Sequence, residues 1–209
     1  MSIDRNDYRA MAAHARSLLE AGKSQEDVLR SCYGVEFPAE TFALAEMIAE
    51  GREPNVVYTN LPWNLLIPLD HGGPPGEPDD LMESQERRVS KLDPSLVPLL
   101  ILYGNHYERG GAMLCYRLEE LAAGRSTIFG FQRALPDGVA KLYGDSLAAV
   151  IRASDADRLQ RLENEFASPG NYGGGALDIH ELEDARENLA TADELIRRVA
   201  ERRRPKLVL

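Results

Sequence analysis

A chain of 209 residues with 44% hydrophobic and 28% charged residues can bury one full core, alone or with a helical appendage. Its formal net charge of −10 argues against nucleic acid, whose phosphates need clustered Lys and Arg, and suits plain solubility or a basic protein partner. No apolar stretch approaches the roughly 20 residues of a membrane helix, so no membrane partner is expected.

The first residues, MSIDRNDYRAMAAHARSLLE, carry early acids and no apolar signal core. Cys32 and Cys115 are far apart, without CxxC spacing, and read as buried thiols of a reducing compartment. The expected location is cytoplasmic.

Tyr8, Met11, Ala12, Ala15, Leu18 and Leu19 recur at helical spacing, with Gly22 placed as a cap. Ser24 then opens a second helix whose apolar side is Val28, Leu29 and Cys32. Pro38 fits the first turn of a third helix, which carries Phe42, Leu44, Ala45, Met47 and Ile48 and ends at Gly51. The segment NVVYTNLPWNLLIPLD, punctuated by Pro62 and Pro68, suits short strands or an edge strand, because proline cannot donate to a ladder. Trp63, beside Leu61, Leu65 and Leu66, reads as core.

HGGPPGEPDD reads as a loop, and LMESQERRVSKLDPS as a short polar helix or an exposed crossing. Two apolar runs, VPLLILY and AMLCYRL, flank a polar Gly-rich knot and read as a hairpin, with STIFGF as the next strand. From Pro136 a helical stripe is expected through Leu142, Leu147, Val150 and Ile151, then Leu159, Leu162 and Phe166. SPGNYGGGA breaks the pattern. The last segment forms a long amphipathic helix with a seam of Leu182, Ala185, Leu189, Ala192, Ile196 and Val199, acids at its front and arginines at its rear. That seam suits docking in cis or a homodimer, and the homodimer would make the chain a dimeric scaffold or regulator.

Helices, strands, then helices give an α+β fold: a mostly antiparallel sheet flanked by helices, with a long C-terminal helix. The expected division is an α+β domain over 1–167 that includes the N-terminal helical layer, a Gly-rich break at 168–176, and the helix over 177–204.

Chemistry candidates are sparse. Asp70, His71, His106 and Glu108 could be drawn as a metal site or an acid–base pair of a hydrolase-type enzyme. HExxH, HxH and HxxEH are all absent, however, and the residues around His106 are those a turn wants. HGGPPGEP lacks both GxGxxG and GxxxxGK[ST], and its prolines remove the N–H groups that would cradle phosphate. There is no GxSxG elbow. No catalytic residue, metal or cofactor is assigned. The acidic segment EPDDLMESQE is the best partner-facing surface, with Glu77, Asp79, Asp80, Glu83 and Glu86 as contact residues, joined by Tyr107 and Glu108 on the hairpin. Its bland alternative is a solvated loop.

The stretch YGVEFPAETFALAEMIAEG resembles the opening of the SUKH superfamily, which includes bacterial immunity proteins and a cell-wall-synthesis regulator. LVPLLILYGNHYERGGAMLCYRL resembles that family's central hairpin, STIFGF falls where its next strand comes, and SLAAVIRA where a helix closes the domain. The resemblance covers about Ser31 to Ser154. The chain departs from it by carrying Glu50-Gly51-Arg52-Glu53-Pro54 where an Asn-Gly-Gly is expected, and by its long C-terminal helix. The resemblance implies a non-enzymatic binding domain, in many members an immunity protein that neutralises a toxin by occupying it.

Overall fold

The computed structural model describes residues 4–102, 111–132, 136–167 and 179–203. Three helices come first: α1 (Tyr8–Glu20), α2 (Gln25–Tyr33) and α3 (Ala39–Ala49). Asp7 caps α1 by accepting from the Ala10 N–H at 3.0 Å, and Ser24 caps α2 through the Asp27 N–H at 3.2 Å. Helix α1 ends in a Schellman motif: Gly22 takes φ +73°, its N–H bonds Leu19 O, and the Lys23 N–H bonds Leu18 O. Pro38 is the N-cap residue of α3, one position ahead of its expected place inside the first turn.

The segment expected to hold short strands or an edge strand holds one short strand at the end of the sheet, and the rest of it is not strand. Only Val57–Tyr58 (β1) pairs in the sheet, and Trp63–Leu66 and Leu69–His71 are 3-10 turns. Its prolines explain this, since proline sets a turn-compatible φ and withdraws a ladder donor. Asp80–Leu92 is a full helix, α4, capped by Asp79, which accepts from the Met82 N–H at 2.9 Å. The acidic segment is therefore loop at Glu77 and Pro78, cap at Asp79 and helix from Asp80 onward.

Strands β2 (Leu96–Leu102), β3 (Ala112–Arg117), β4 (Ile128–Phe131) and β5 (Lys141–Gly144) complete an antiparallel sheet in the order β1-β2-β3-β4-β5, and the short helix α5 (Leu118–Ala122) follows β3. Strand β2 is buried along its whole length because both faces of the sheet are covered there. A bulge falls between Pro98 and Leu100, which is where a proline within a strand is tolerated. The larger core packs Val97, Leu99, Leu114, Tyr116 and Ile128 against the helical layer. The smaller one packs Ile101, Met113, Cys115 and Phe131 beneath Met82 and Val89 of α4.

Lys141–Gly144 is strand β5, not the start of a helical stripe; Leu142 is 65% exposed, and only from Leu147 does the spacing describe a helix, α6 (Leu147–Ala167). The long C-terminal helix α7 (Ile179–Arg202) lies in cis against α6 and α3. Its buried seam is Leu182, Ala185, Ala192, Leu195 and Val199, so Leu195 takes the place expected for Ile196, which is exposed. The rear arginines reach the end of α3: Arg198 forks onto Glu50 at 2.9 and 2.7 Å, and Arg202 pairs with Glu46. The Gly-rich break at 168–176 lies outside the described residues.

One buried carboxylate ties these layers together. Glu40, in the first turn of α3, is fully buried and accepts from Tyr116 Oη of β3 at 2.8 Å and from Ser146 Oγ at 2.5 Å. The backbone N–H groups of Leu147 and Ala148 also donate to it, at 3.0 and 3.3 Å. A carboxylate at the start of α6 satisfies donors that a helix leaves unpaired and meets the positive end of its dipole.

Candidate binding cleft

In the sheet order β1 stands at one end, so among the described residues no strand neighbours its outer side. A cleft of about 830 Å³ runs along that side. Its wall toward α3 holds Ala45, Ile48 and the rings of Tyr58 and Trp63; its wall toward α4 holds Leu81 and Met82. The titratable groups lining it are His71, Glu77 and Asp79, besides Tyr58, and no Lys or Arg lines it among the described residues. The cleft is thus apolar within and acidic at the rim.

Its shape rests on side chains that hold β1 and the following turns. Trp63 Nε1 donates to Leu99 O, the same carbonyl that accepts the Thr59 N–H at 3.1 Å. The Tyr58 and Trp63 rings meet edge to face at 5.4 Å between centroids. Asn60 then acts as a one-residue strand: its Oδ1 accepts the Asp79 N–H at 2.9 Å and its Nδ2 donates to Asp79 O at 3.0 Å. Loop 72–78 is fixed from the other side by α1. Arg16 donates to the carbonyls of Gly72 and Pro74 at 2.9 and 2.6 Å, and Tyr8 Oη donates to Pro75 O at 3.1 Å. Gly73 permits this approach, since a Cβ there would lie 3.2 Å from Arg16 Nη1 and its φ is +67°. The loop turns carbonyls toward a guanidinium, an arrangement unlike an N–H cradle for phosphate.

The acids expected to face a partner divide by role. Glu77 is 70% exposed in side chain and pairs with Arg9. Asp80 is exposed in the first turn of α4. Asp79 is exposed as a residue, yet its carboxylate caps α4. Glu83, 25% exposed in side chain, pairs along α4 with Arg87 at 2.8 Å. Glu86 departs most from an acid free on the surface: its carboxylate turns inward, accepting the Leu61 N–H at 2.8 Å and Asn60 Nδ2 at 3.2 Å. Burial pushes Glu86 up to about 7, against the lowering effect of those two bonds. Beside it opens a hollow of about 260 Å³ lined by Glu83, Glu86, Arg87, Ser90 and Tyr33.

Tyr107 and Glu108, with His106, lie outside the described residues. Asp70 and His71 form an exposed 3-10 turn with Leu69, and His71 reaches the cleft. Among the described residues no three of His, Cys, Asp and Glu gather as a metal site. Cys32 and Cys115 are free, buried thiols; burial pushes Cys32 up to about 11 and Cys115 higher still, so both stay protonated near neutral pH. Asn60, Tyr58 and Asn64, which also lines the cleft and donates to Tyr8 Oη at 3.0 Å, escaped the sequence reading. The one signal for them was local: two Asn residues bracket Leu-Pro-Trp after an edge-strand pattern.

No helix among the described residues is long and apolar enough to cross a membrane. No family model, no curated protein and no solved structure matches the chain.

Proposed function

We propose that this protein is a non-enzymatic binding domain of SUKH type that acts as an immunity protein, occupying a basic partner such as a toxin domain. The observation that supports the reading is the cleft beside β1, whose charged lining is acidic and free of Lys and Arg among the described residues. An acidic, partly apolar recess on a chain of net charge −10 speeds encounter with a basic surface and rejects acidic ones. The acids that carry binding are Glu77, which lines the cleft and pairs with Arg9, and Asp80, which stands exposed between the lining residues Asp79 and Leu81. Asp79 and Glu86 hold the rim in place through their bonds to α4, Leu61 and Asn60.

The test is capture of the partner from native cells, or of a neighbouring gene's basic product, by wild type and by the Glu77→Lys, Asp80→Lys double variant. Reversing both charges should weaken binding at least tenfold and flatten its salt dependence. Equal capture by the two proteins would remove the acidic cleft from the interface.

A further inference from the structure

The cleft has a second property that charge does not describe: it follows a strand edge. The Thr59 N–H donates to Leu99 O on β2, and Val57 and Tyr58 sit opposite Ile101 and Leu100. In an antiparallel ladder the backbone groups of alternate residues point to opposite sides. The N–H and C=O of Tyr58 therefore point away from β2, into the side where the cleft lies. Val56 is turned back on itself by an N–H bond to Pro54 O, so the outward pair on Tyr58 forms a short docking rung. The cleft walls stand on both faces of the sheet edge. Ile48, Tyr58 and Trp63 lie toward α3, and Val57, Leu81 and Met82 toward α4.

A strand placed on this edge would send alternate side chains into those two walls. Leu81, 65% exposed on the α4 side, offers apolar surface to one set. The acids at the rim, Glu77 and Asp79, favour Lys or Arg in the segment that enters. Among the described residues no Lys or Arg lines the cleft, and Arg9, which pairs with Glu77 at the rim, is exposed and can yield that carboxylate to an entering cation.

We infer that the basic partner binds by adding an extended, Lys- or Arg-bearing segment to the free edge of β1, pairing with the Tyr58 backbone and seating apolar side chains between α3 and α4. This rests on the binding-domain reading above and specifies its mode. Strand addition draws affinity from main-chain hydrogen bonds and specificity from alternate side-chain pockets, and the geometry supplies both. The edge is also guarded against promiscuous pairing: β1 is two residues long, and exposed acids flank it.

The experiment uses the full chain, labelled for amide detection, and a decapeptide of alternating Lys and Val as probe. Two twins carry N-methyl groups on every Lys or on every Val, and a third peptide alternates Glu and Val. The parent peptide should bind, slow hydrogen exchange at the Tyr58 amide at least tenfold, and lose at least tenfold in affinity in one N-methyl twin only, because a strand pairs through one edge. The Glu–Val peptide should bind at least tenfold more weakly. If the parent binds but both twins bind equally and Tyr58 exchange is unchanged, strand addition is wrong while the acidic-surface reading stands. Failure of the parent peptide to bind overturns strand addition too, leaving that reading to the partner capture. Equal binding of the Glu–Val and Lys–Val peptides removes the basic occupant. A concentration-dependent dimer of the free chain that protects Tyr58 would assign the edge to a second copy instead.

Discussion

The middle of the sheet and its β1 edge each hold a buried or half-buried glutamate, and they treat it differently. Glu40 lies between α3, β3 and α6 with four donors around it: two hydroxyls and two backbone N–H groups at a helix start. Glu86, between α4 and the chain after β1, receives two, from Leu61 and Asn60, and its ionisation is shifted up to about 7 by burial. A carboxylate surrounded by donors fastens three elements; one with fewer donors is held at a cost and tracks pH. The closed region is therefore scaffold, and the edge region is the adjustable one. Function is better sought at the edge.

The sharpest way to break that contrast is to remove the fastener. Glu40→Ala strips the acceptor from two buried N–H groups and two hydroxyls, and should cost about 3–5 kcal/mol of unfolding free energy. Tyr116→Phe deletes one donor and leaves three, so about 1–2 kcal/mol is expected. Urea unfolding of both variants measures the pair. Near-equal losses would mean that Glu40 is not the hub of this contact.

At the edge, the corresponding effect is a slope. Glu86 has a native pKa of about 7 against an unfolded value near 4.5, so the folded state binds more protons between those values. Stability therefore falls as pH rises from about 4.5 to 7, by at most about 3 kcal/mol from this group. Asp155, raised to about 6 by burial in α6, adds to the fall over the lower part of that window. Glu120 and Glu194, lowered to about 2 by arginine partners and, for Glu120, Thr127 as well, act in the opposite sense and only below pH 4.5. Glu86→Gln keeps an oxygen for the Leu61 N–H and should flatten most of the slope; Asp155→Asn should flatten the rest. An unaltered slope in the Gln variant would show that Glu86 titrates normally.

How far each region could be read in advance follows the same division. Helices α1 to α3 were legible because their signals are local: Ser24 and Gly22 act within a few residues of themselves. The α+β class and the antiparallel sheet were legible from the order of elements. Strand β5 was misread because Leu142 lies five residues before Leu147, close enough to helical spacing to join the stripe of α6. Glu40 was invisible as a hub. In sequence it is one acid in a helix's first turn, and its partners lie 76 to 108 residues away. The acidic segment was found by composition, which counts charges but cannot tell Glu86, turned inward on Leu61, from Asp80, turned out. The pairing of Asn60 with Asp79 has no signature at all, since an Asn two residues past a strand reads as a turn residue.

The smallest expected effect separates the acids of the rim from one another. Asp79→Ala removes the cap of α4 and should cost about 1 kcal/mol, while Asn60 still grips the backbone of residue 79. Glu77→Lys changes an exposed side chain with no capping bond and should stay within about 0.5 kcal/mol of wild type. Asp80→Lys also sets a cation in the first turn of α4 and should cost up to about 1 kcal/mol, a loss that fades with added salt. Glu77→Lys does face Arg9 across its former ion pair, and any loss there should fade with added salt. Thermal melts at low and high ionic strength decide the matter. If Asp80→Lys melted as early as Asp79→Ala at both, the exposed acids would be part of the scaffold after all. The edge would then have no charge to spare for a partner.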